Sequence, residues 1–236
     1  MNTSNLPKVD LVIAPPEPTP GLRTRVISRP IKQTIRYCLD QGWLGNAPLD
    51  THVIVSGFPR GGTTLLQAML EVCIPCARIY GKEVRGITAA KYDINVAKFK
   101  HLVTKRPDDI FIFDTIREIY AKRKPSPKFI LLSRDPRAVL TSRHRKNGSR
   151  PYVTAERWSW FFKYWQIERH SGDVLAIRYE DLVNNSKKVQ QSIENHIGVQ
   201  FRCDISDYHK YIDNSFDSTA LNGIRPLDSQ TITRWK

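Results

Sequence analysis

The chain has 236 residues, 40% of them hydrophobic and 10% aromatic, which is enough to bury a core and excludes wholesale disorder. Lysine and arginine number 37 against 23 aspartate and glutamate, so the formal net charge is +14. A charge of that sign favours anionic partners, namely nucleotides, acidic substrates, nucleic acid or an anionic membrane surface. No apolar run approaches the roughly 20 residues that span a bilayer, and the first residues lack a signal-peptide core. We therefore expect a cytoplasmic protein without a transmembrane segment.

Prolines set off the first part of the chain. Four of them lie within residues 14–21, where they cannot donate backbone hydrogen bonds and favour an extended backbone. We predict a flexible N-terminal arm over residues 1–22 and a single folded domain over residues 23–236. One domain of that length is ordinary.

Beyond the arm, short apolar runs alternate with stretches of helical spacing. The apolar runs predict strands over residues 52–56, 110–113, 128–132 and 174–177. Helices are predicted over residues 30–41, 63–72, 116–124, 136–146 and 182–197, and another opens at Thr154. In that last helix the aromatic residues recur at helical spacing and indicate core packing. Apolar strands that alternate with helices are typical of an α/β fold with a parallel sheet covered on both faces.

A glycine-rich segment, GFPRGGTT, spans residues 57–64 and joins the first predicted strand to the next helix. That context suits a phosphate cradle, because glycines let successive N–H groups point inward and a helix N-terminus adds partial positive charge. Arg60 adds a full positive charge. The segment fits a Walker A loop only in part, since Thr63 stands where a kinase or ATPase has its lysine. The candidate phosphate ligands are Arg60, Gly61, Gly62, Thr63 and Thr64.

Two later predicted strands also end in polar residues. Arg134 follows the third run, and Ser142 lies about two helical turns further on, where its hydroxyl can reach the same anion. Arg178 and Tyr179 end the fourth run in the same way. Ligands of parallel sheets bind beyond the carboxyl ends of the strands, so these four residues are candidates for a nucleotide site.

The cysteines give little sign of a metal or redox site. Cys73 and Cys76 form a C-x-x-C pair, but Cys38 and Cys203 do not supply the second pair that a zinc site needs. We expect ordinary packing for Cys73 and Cys76 and no bound metal.

The segments GFPRGGTTLL, FILLSRDPRAVLTS and IRYEDLV together resemble the motifs of sulfotransferases that use 3′-phosphoadenosine 5′-phosphosulfate (PAPS). Residues 224–235 resemble the closing segment of the same family, so the resemblance covers residues 53–236. It implies a P-loop-type three-layer αβα domain with a central, mainly parallel sheet. The glycine segment would hold the 5′-phosphosulfate with Arg60 as its catalytic cation, while Arg134 and Ser142 would hold the 3′-phosphate.

The reaction implied by the resemblance moves a sulfuryl group from PAPS to a hydroxyl or amine of an acceptor and releases 3′-phosphoadenosine 5′-phosphate (PAP). This chemistry requires no metal. The acceptor is a peptide, a glycan or a small molecule, and the basic charge favours an anionic one. Nucleic acid is not an obligatory partner, and no motif identifies the acceptor.

The arginine of the glycine segment makes the chain most similar to the tyrosylprotein sulfotransferases and their bacterial relatives. The catalytic glutamate of that branch corresponds to Glu83, its substrate-binding arginine to Arg85, and a serine near its closing segment to Thr219. If the glutamate role does not belong to Glu83, His101 and His144 are the reserve candidates for the general base.

One position departs from that branch. Its members have a lysine at the end of the second strand of the sheet, whereas the predicted second run here continues as Phe113-Asp114-Thr115. Either Arg117 reaches the site in place of the lysine, or the substrate and mechanism differ.

Two other functions are open at this point. A nucleotide or small-molecule kinase on the same fold would need Mg²⁺, ATP and a lysine where Thr63 stands. A non-catalytic nucleic-acid-binding protein would account for the charge of +14, and its binding to any polynucleotide would weaken steeply with salt.

Overall fold

The computed structural model describes residues 28–143, 151–212, 216, 221, 223–233 and 235. The predicted arm, His144 and Thr219 lie outside these residues. The strands are β1 (Thr51–Gly57), β2 (Ala77–Ile79), β3 (His101–Lys105), β4 (Ser126–Ser133) and β5 (Val174–Arg178). The helices are α1 (Arg29–Gln41), α2 (Thr63–Cys73), α3 (Gly86–Tyr92), α4 (Phe113–Tyr120), α5 (Pro136–Leu140), α6 (Ala155–Glu168), α7 (Tyr179–Asn184), α8 (Ser186–Ile197) and α9 (Gln230–Thr233), with 3₁₀ helices over Pro107–Ile112 and Ile205–Lys210.

The strands form one five-stranded sheet in the order β2-β3-β1-β4-β5, and every pairing is parallel. β1 is central and aligns its first residue, Thr51, with His101 of β3 and Ser126 of β4. All carboxyl ends therefore meet at one edge of the sheet. The predicted α/β class with a central, mainly parallel sheet is confirmed.

Helices cover both faces of the sheet, because the side chains of β1 alternate between two apolar clusters. Val53 and Val55 pack with residues of α2 and α8, whereas Ile54 packs with residues of α4 and α6. All three β1 side chains are fully buried. Phe161 of α6 lies in the second cluster, which confirms that the aromatic positions of this helix serve the core.

One predicted strand is wrong, and a different segment takes its place. Residues 110–113 belong to a 3₁₀ helix and the start of α4, because Pro107 suits a first helical turn and the apolar side chains pack onto the sheet from outside. The strand beside β1 is β3, whose His101, Thr104 and Lys105 gave it a polar pattern. Those polar side chains are nevertheless buried, and Thr104 is hydrogen-bonded to His52 of β1 at 2.9 Å.

Helix boundaries differ from the predicted ones in three places. The helix predicted over 116–124 is α4 and begins earlier, at Phe113. The helix predicted over 136–146 ends at Leu140 within the described part. The one predicted over 182–197 is two helices, α7 and α8, which meet at Asn185.

The described residues include no group of three or more histidine, cysteine, aspartate or glutamate side chains that could hold a metal ion. Cys73 lies against Cys203, with 2.9 Å between the two sulfur atoms, and not against Cys76. None of the helices in the described ranges is long and apolar enough to cross a membrane.

Candidate functional site

A cavity of about 340 Å³ lies at the carboxyl edge of the sheet. The glycine segment after β1, the residues after β4 and the residue that follows β5 all reach it, as expected for a ligand site beyond the carboxyl ends of parallel strands. Another wall of the cavity, the C-terminal wall, is formed by Gly223, Arg225, Pro226, Leu227, Asp228, Thr231 and Trp235. The polar residues that line the whole cavity include Arg60, Thr63, Thr64, Glu83, Arg134, Ser142, Tyr152, Tyr179, Tyr208, Arg225, Asp228, Thr231 and Trp235.

The glycine segment turns sharply between β1 and α2. Gly57 has φ 133, and a Cβ there would lie 2.1 Å from the backbone oxygen of Leu132, so only glycine allows β1 and β4 to approach. Gly62 has φ 95, and a Cβ would lie 2.4 Å from the ring of Tyr179. The turn is closed by the Gly61 N–H, which donates to the Phe58 carbonyl at 2.8 Å.

Because the Gly61 amide serves the turn, the amides that face a ligand are those of the first turn of α2. The N–H groups of a first helical turn have no partner within the helix, and they carry partial positive charge. Thr63 and Thr64, which open α2, line the cavity. The loop therefore offers an anion the end of a helix together with the Arg60 side chain.

Arg60 adopts φ 65, which is uncommon for a residue with a side chain. Its Nε donates to Ser142 Oγ at 2.8 Å, and its guanidinium carbon lies 5.7 Å from the centre of the Tyr152 ring. The structure thus brings together Arg60 and Ser142, two residues predicted to hold different phosphates of one nucleotide. The strained backbone at Arg60 aims this cation at the cavity.

Arg134 connects the glycine segment to the C-terminal wall. Its Nη1 donates to the Arg60 carbonyl at 3.1 Å, and its Nη2 donates to the Thr231 carbonyl at 2.8 Å. Its guanidinium carbon lies 4.1 Å from the centre of the Tyr179 ring, and Tyr179 Oη lies 2.9 Å from Thr231 Oγ1. A cation stacked on an aromatic face and held by two carbonyls has a fixed direction, which suits recognition of a phosphate.

The C-terminal wall contains cavity residues that the sequence did not single out. Tyr208 donates its hydroxyl to the Arg225 carbonyl at 2.8 Å, and Arg137 lies over the ring of Trp235 at 3.7 Å. Thr231 receives the contacts of Arg134 and Tyr179 described above. Only the general resemblance of residues 224–235 to a closing segment pointed to this wall.

Glu83 also lines the cavity and lies in the segment between β2 and α3. Its Oε1 is 2.5 Å from Nζ of Lys105, the last residue of β3. The lysine is 3% exposed and the glutamate 51% exposed. A lysine therefore does stand at the end of the strand beside β1. The sequence reading missed it because it placed that strand at residues 110–113.

Arg117 does not reach the cavity. It binds Glu168 and Asp173 near the amino end of β5, with Nη2 and Nε each 2.8 Å from a carboxylate oxygen. Its side chain is therefore bound to these two carboxylates at the amino edge of the sheet, away from the cavity. Lys105, and not Arg117, is the cation beside Glu83.

The remaining candidates lie at different distances from the cavity. Arg178 has an exposed side chain that lies 3.6 Å from Glu180 and is absent from the described lining, whereas Tyr179 belongs to it. Arg85 occupies the N-cap position of α3 without a side-chain cap, and it is not among the described lining residues. His101 is the first residue of β3, so it lies at the amino edge of the sheet, away from the cavity.

Beside Glu83 lies a buried acid that the sequence did not suggest. Asp109 is 1% exposed, and its Oδ2 accepts the N–H of Gly86 at 2.7 Å. Burial raises the pKa of this carboxyl to about 7, although Gly86, Arg106 and Arg85 act to lower it. After β4, Arg137 holds the pKa of Asp135 below its usual value by hydrogen bonding.

Comparison with known proteins identifies the family of this chain. The sequence model of the sulfotransferase family matches residues 74–202, more than half of the chain. The chain belongs to the sulfotransferase family. The match begins beyond the glycine segment, so the geometry of that segment is independent support. Like other sulfotransferases, this one needs a sulfuryl donor and an acceptor.

Relatives of this sulfotransferase agree with the assignment. A Caenorhabditis briggsae protein named "Putative protein-tyrosine sulfotransferase" is 26% identical over 230 residues, covering 78% of this chain and 80% of the relative. The sulfotransferase domain of the Synechococcus PCC 7002 olefin synthase has a TM-score of 0.56 at 21% identity, covering 80% of this chain and 88% of the domain. A sulfotransferase domain of the curacin biosynthetic pathway gives 0.53 at 17%, covering 79% and 90%. The two structures share the fold.

Proposed function

We propose that this sulfotransferase takes its sulfuryl group from PAPS and transfers it to a hydroxyl or amine of an acceptor. The observation that carries the proposal is the arrangement of one cavity. Its floor joins the first turn of α2 to two fixed arginines, and a carboxylate paired with a lysine also lines the cavity. Two separate cationic contacts suit a donor with phosphates at two positions. Residues 23–236 would form the single catalytic domain.

The donor would lie with its phosphosulfate at the glycine segment. The amides that open α2, the hydroxyls of Thr63 and Thr64 and the Arg60 guanidinium would bind the 5′-phosphate. Arg134 and Ser142 would bind the 3′-phosphate, with Arg60 Nε exchanging its contact with Ser142 for a donor oxygen. The Tyr179 ring that stacks on Arg134 also lies against Gly62, so it connects the two ends of the proposed donor site.

Transfer would be an in-line displacement at sulfur. The acceptor atom bonds to sulfur while the bond from sulfur to the bridging phosphate oxygen breaks, and the electron pair stays on the departing phosphate. Arg60 and the amides of α2 would stabilise that developing negative charge, because they are fixed before the reaction. Glu83 would take the acceptor proton, a role worth about 10²- to 10⁴-fold in rate.

Lys105 would serve this step by holding Glu83. Its ammonium group is almost fully buried and binds one carboxylate oxygen, so the other oxygen can point toward the acceptor. A buried ammonium group at the end of β3 also lies beside the central strand, where it adds positive charge near the transferred group. Arg85, two residues after Glu83, would contact an anionic acceptor.

Ligand-dependent stability tests the identity of the donor. The protein is heated with increasing PAP, and separately with increasing ATP and Mg²⁺. A ligand present at a hundred times its dissociation constant adds about 2.7 kcal/mol to the free energy of unfolding, so PAP at micromolar concentrations should raise Tm. ATP lacks the 3′-phosphate and should stabilise far less. Equal or greater stabilisation by ATP would contradict the assignment of PAPS and favour a kinase.

A further inference from the structure

The segment that carries Glu83 has no regular secondary structure of its own. It spans residues 80–85, between β2 and α3, and half of the Glu83 side chain is exposed. Its position relative to β3 must therefore come from contacts with neighbouring elements. One is a backbone bond, in which Val84 N–H donates to the Lys105 carbonyl at 3.3 Å. Two others come from buried polar side chains, one on each side of Glu83.

Gln67 binds the segment before Glu83. It lies on α2 among apolar residues and is 2% exposed, yet its Nε2 donates to the carbonyl of Tyr80 and, at 3.4 Å, to that of Lys82. A buried amide on an otherwise apolar helix face costs free energy unless its hydrogen bonds are made. The bonds of Gln67 connect α2, which supplies the anion site, directly to the residues preceding Glu83.

Asp109 binds the segment after Glu83. Its Oδ2 accepts the Gly86 N–H at 2.7 Å, and a Cβ on Gly86 would lie 3.2 Å from the same oxygen. A side chain at position 86 would therefore crowd this carboxylate oxygen. Asp109 lies in the 3₁₀ helix that follows β3, the strand that ends in Lys105. Its bond to Gly86 therefore fixes the start of α3 relative to that strand.

We infer that Gln67 and Asp109 are positioning residues that together hold Glu83 against Lys105 and toward the transferred group. The inference rests on the proposed function of Glu83 as the general base. Neither residue is among the described residues that line the cavity, so we infer that each acts through the backbone of residues 80–86. A displacement of about 1 Å in a catalytic group can cost on the order of a hundredfold in rate.

Kinetics with saturating PAPS test this inference. Gln67→Met keeps the size of the side chain and removes its donor, and Asp109→Ala removes the acceptor. Each should lower kcat by about 10- to 100-fold while KM for PAPS and affinity for PAP change less than about threefold. Asp109→Asn retains an oxygen that can accept the Gly86 N–H, and it should recover most of kcat.

A matched control comes from α1. Gln41 Nε2 donates to the Lys122 carbonyl at 2.7 Å, away from the described cavity lining. Gln41→Met therefore makes the same chemical change at a bond that does not involve Glu83, and its kcat should equal that of the unchanged protein. If Asp109→Ala does not fold, Gln67→Met with this control still decides the matter.

Combination with Glu83→Gln separates a positioning role from a general loss of structure. If Gln67 acts through Glu83, adding Gln67→Met to Glu83→Gln should lower kcat no further. The inference is overturned if Gln67→Met and Asp109→Ala have full kcat, or if their losses multiply with that of Glu83→Gln. Full activity of Glu83→Gln alone would instead remove the base from the proposed function.

Discussion

At the scale of single residues, the proposed site consists of charged side chains whose surroundings fix their direction. Arg60 has its backbone in the left-handed region and its Nε on Ser142, while Lys105 is buried against Glu83. Asp109 is a buried acid that accepts the Gly86 N–H. In each case the chain keeps a costly local arrangement at or near the cavity, which is typical of functional sites.

Replacing Arg60 tests the cation at the donor phosphate. Arg60→Ala should lower the rate of sulfuryl transfer by about 10²- to 10³-fold, because one fixed electrostatic contact to the departing charge is lost. Single-turnover rates with PAPS measure this effect. Arg169→Ala is the control, since Arg169 lies over Trp165 on α6 and should leave the rate unchanged. A rate within about threefold of the unchanged protein would remove Arg60 from the mechanism.

The pKa of Asp109 predicts how stability depends on pH. Its folded pKa is about 7, above the value of an exposed aspartate, so the folded state holds a proton that the unfolded state loses. This group's contribution is fully present below pH about 4 and falls by about 1.4 kcal/mol per unit as pH rises toward 7. Arg106, Arg85 and Asp108 are the charged neighbours that modify it.

The Asp109→Asn variant has no carboxyl group at this position, so the position does not titrate. Relative to the unchanged protein, its free energy of unfolding should therefore rise steadily between pH 4.5 and 7.5 and then level off. Urea denaturation at several pH values measures the difference between the two proteins. A difference that stays constant with pH would show that Asp109 does not titrate in this range.

At the scale of elements, the sequence predicted those parts whose pattern is local. β1, β4 and β5 are apolar runs, and α2 follows a glycine segment, so each was predicted within a few residues. β3 was missed because its polar residues are buried only through partners on other elements. His52 and Thr104 bond across neighbouring strands, and Lys105 bonds to Glu83, contacts that exist only after the sheet forms.

Glu83, Arg134 and Ser142, which the sequence singled out, all line one cavity, and their roles stay predictions. The sequence did not single out Lys105, because placing this lysine at the cavity requires knowing which strand lies beside β1. It also gave Arg117 a place in the site, whereas the fold binds this side chain to Asp173. Long-range pairing of charges cannot be inferred from spacing along the chain.

The junction of loop and helix offers a prediction at this scale. Gly62→Ala would put a methyl group 2.4 Å from a ring carbon of Tyr179, in a backbone conformation that favours glycine. We expect loss of PAP binding and a fall of roughly 1–3 kcal/mol in the free energy of unfolding. Gly172→Ala, where a Cβ meets nothing within 4 Å, is the matched control. Normal PAP affinity in Gly62→Ala would mean that the loop does not hold the donor.

At the scale of the whole molecule, the cavity is completed by parts distant in sequence. Arg134 follows β4, yet it binds the Thr231 carbonyl 97 residues later, and Tyr208 binds the Arg225 carbonyl. The sheet places the strand ends together, and the C-terminal residues close the space over them. The strand ends thus form the floor of the cavity, and the bond from Arg134 to the Thr231 carbonyl connects the C-terminal wall to that floor.

The most direct measurement compares the affinities of PAP and adenosine 5′-monophosphate, which differ only in the 3′-phosphate. Calorimetry on the unchanged protein should show PAP binding about 10- to 100-fold more tightly, since charge-assisted hydrogen bonds to one phosphate contribute about 1.5–3 kcal/mol. Arg134→Ala should abolish most of that preference while leaving the affinity for the monophosphate nearly unchanged. Equal affinities in the unchanged protein, or an undiminished preference in Arg134→Ala, would contradict the proposed PAPS site.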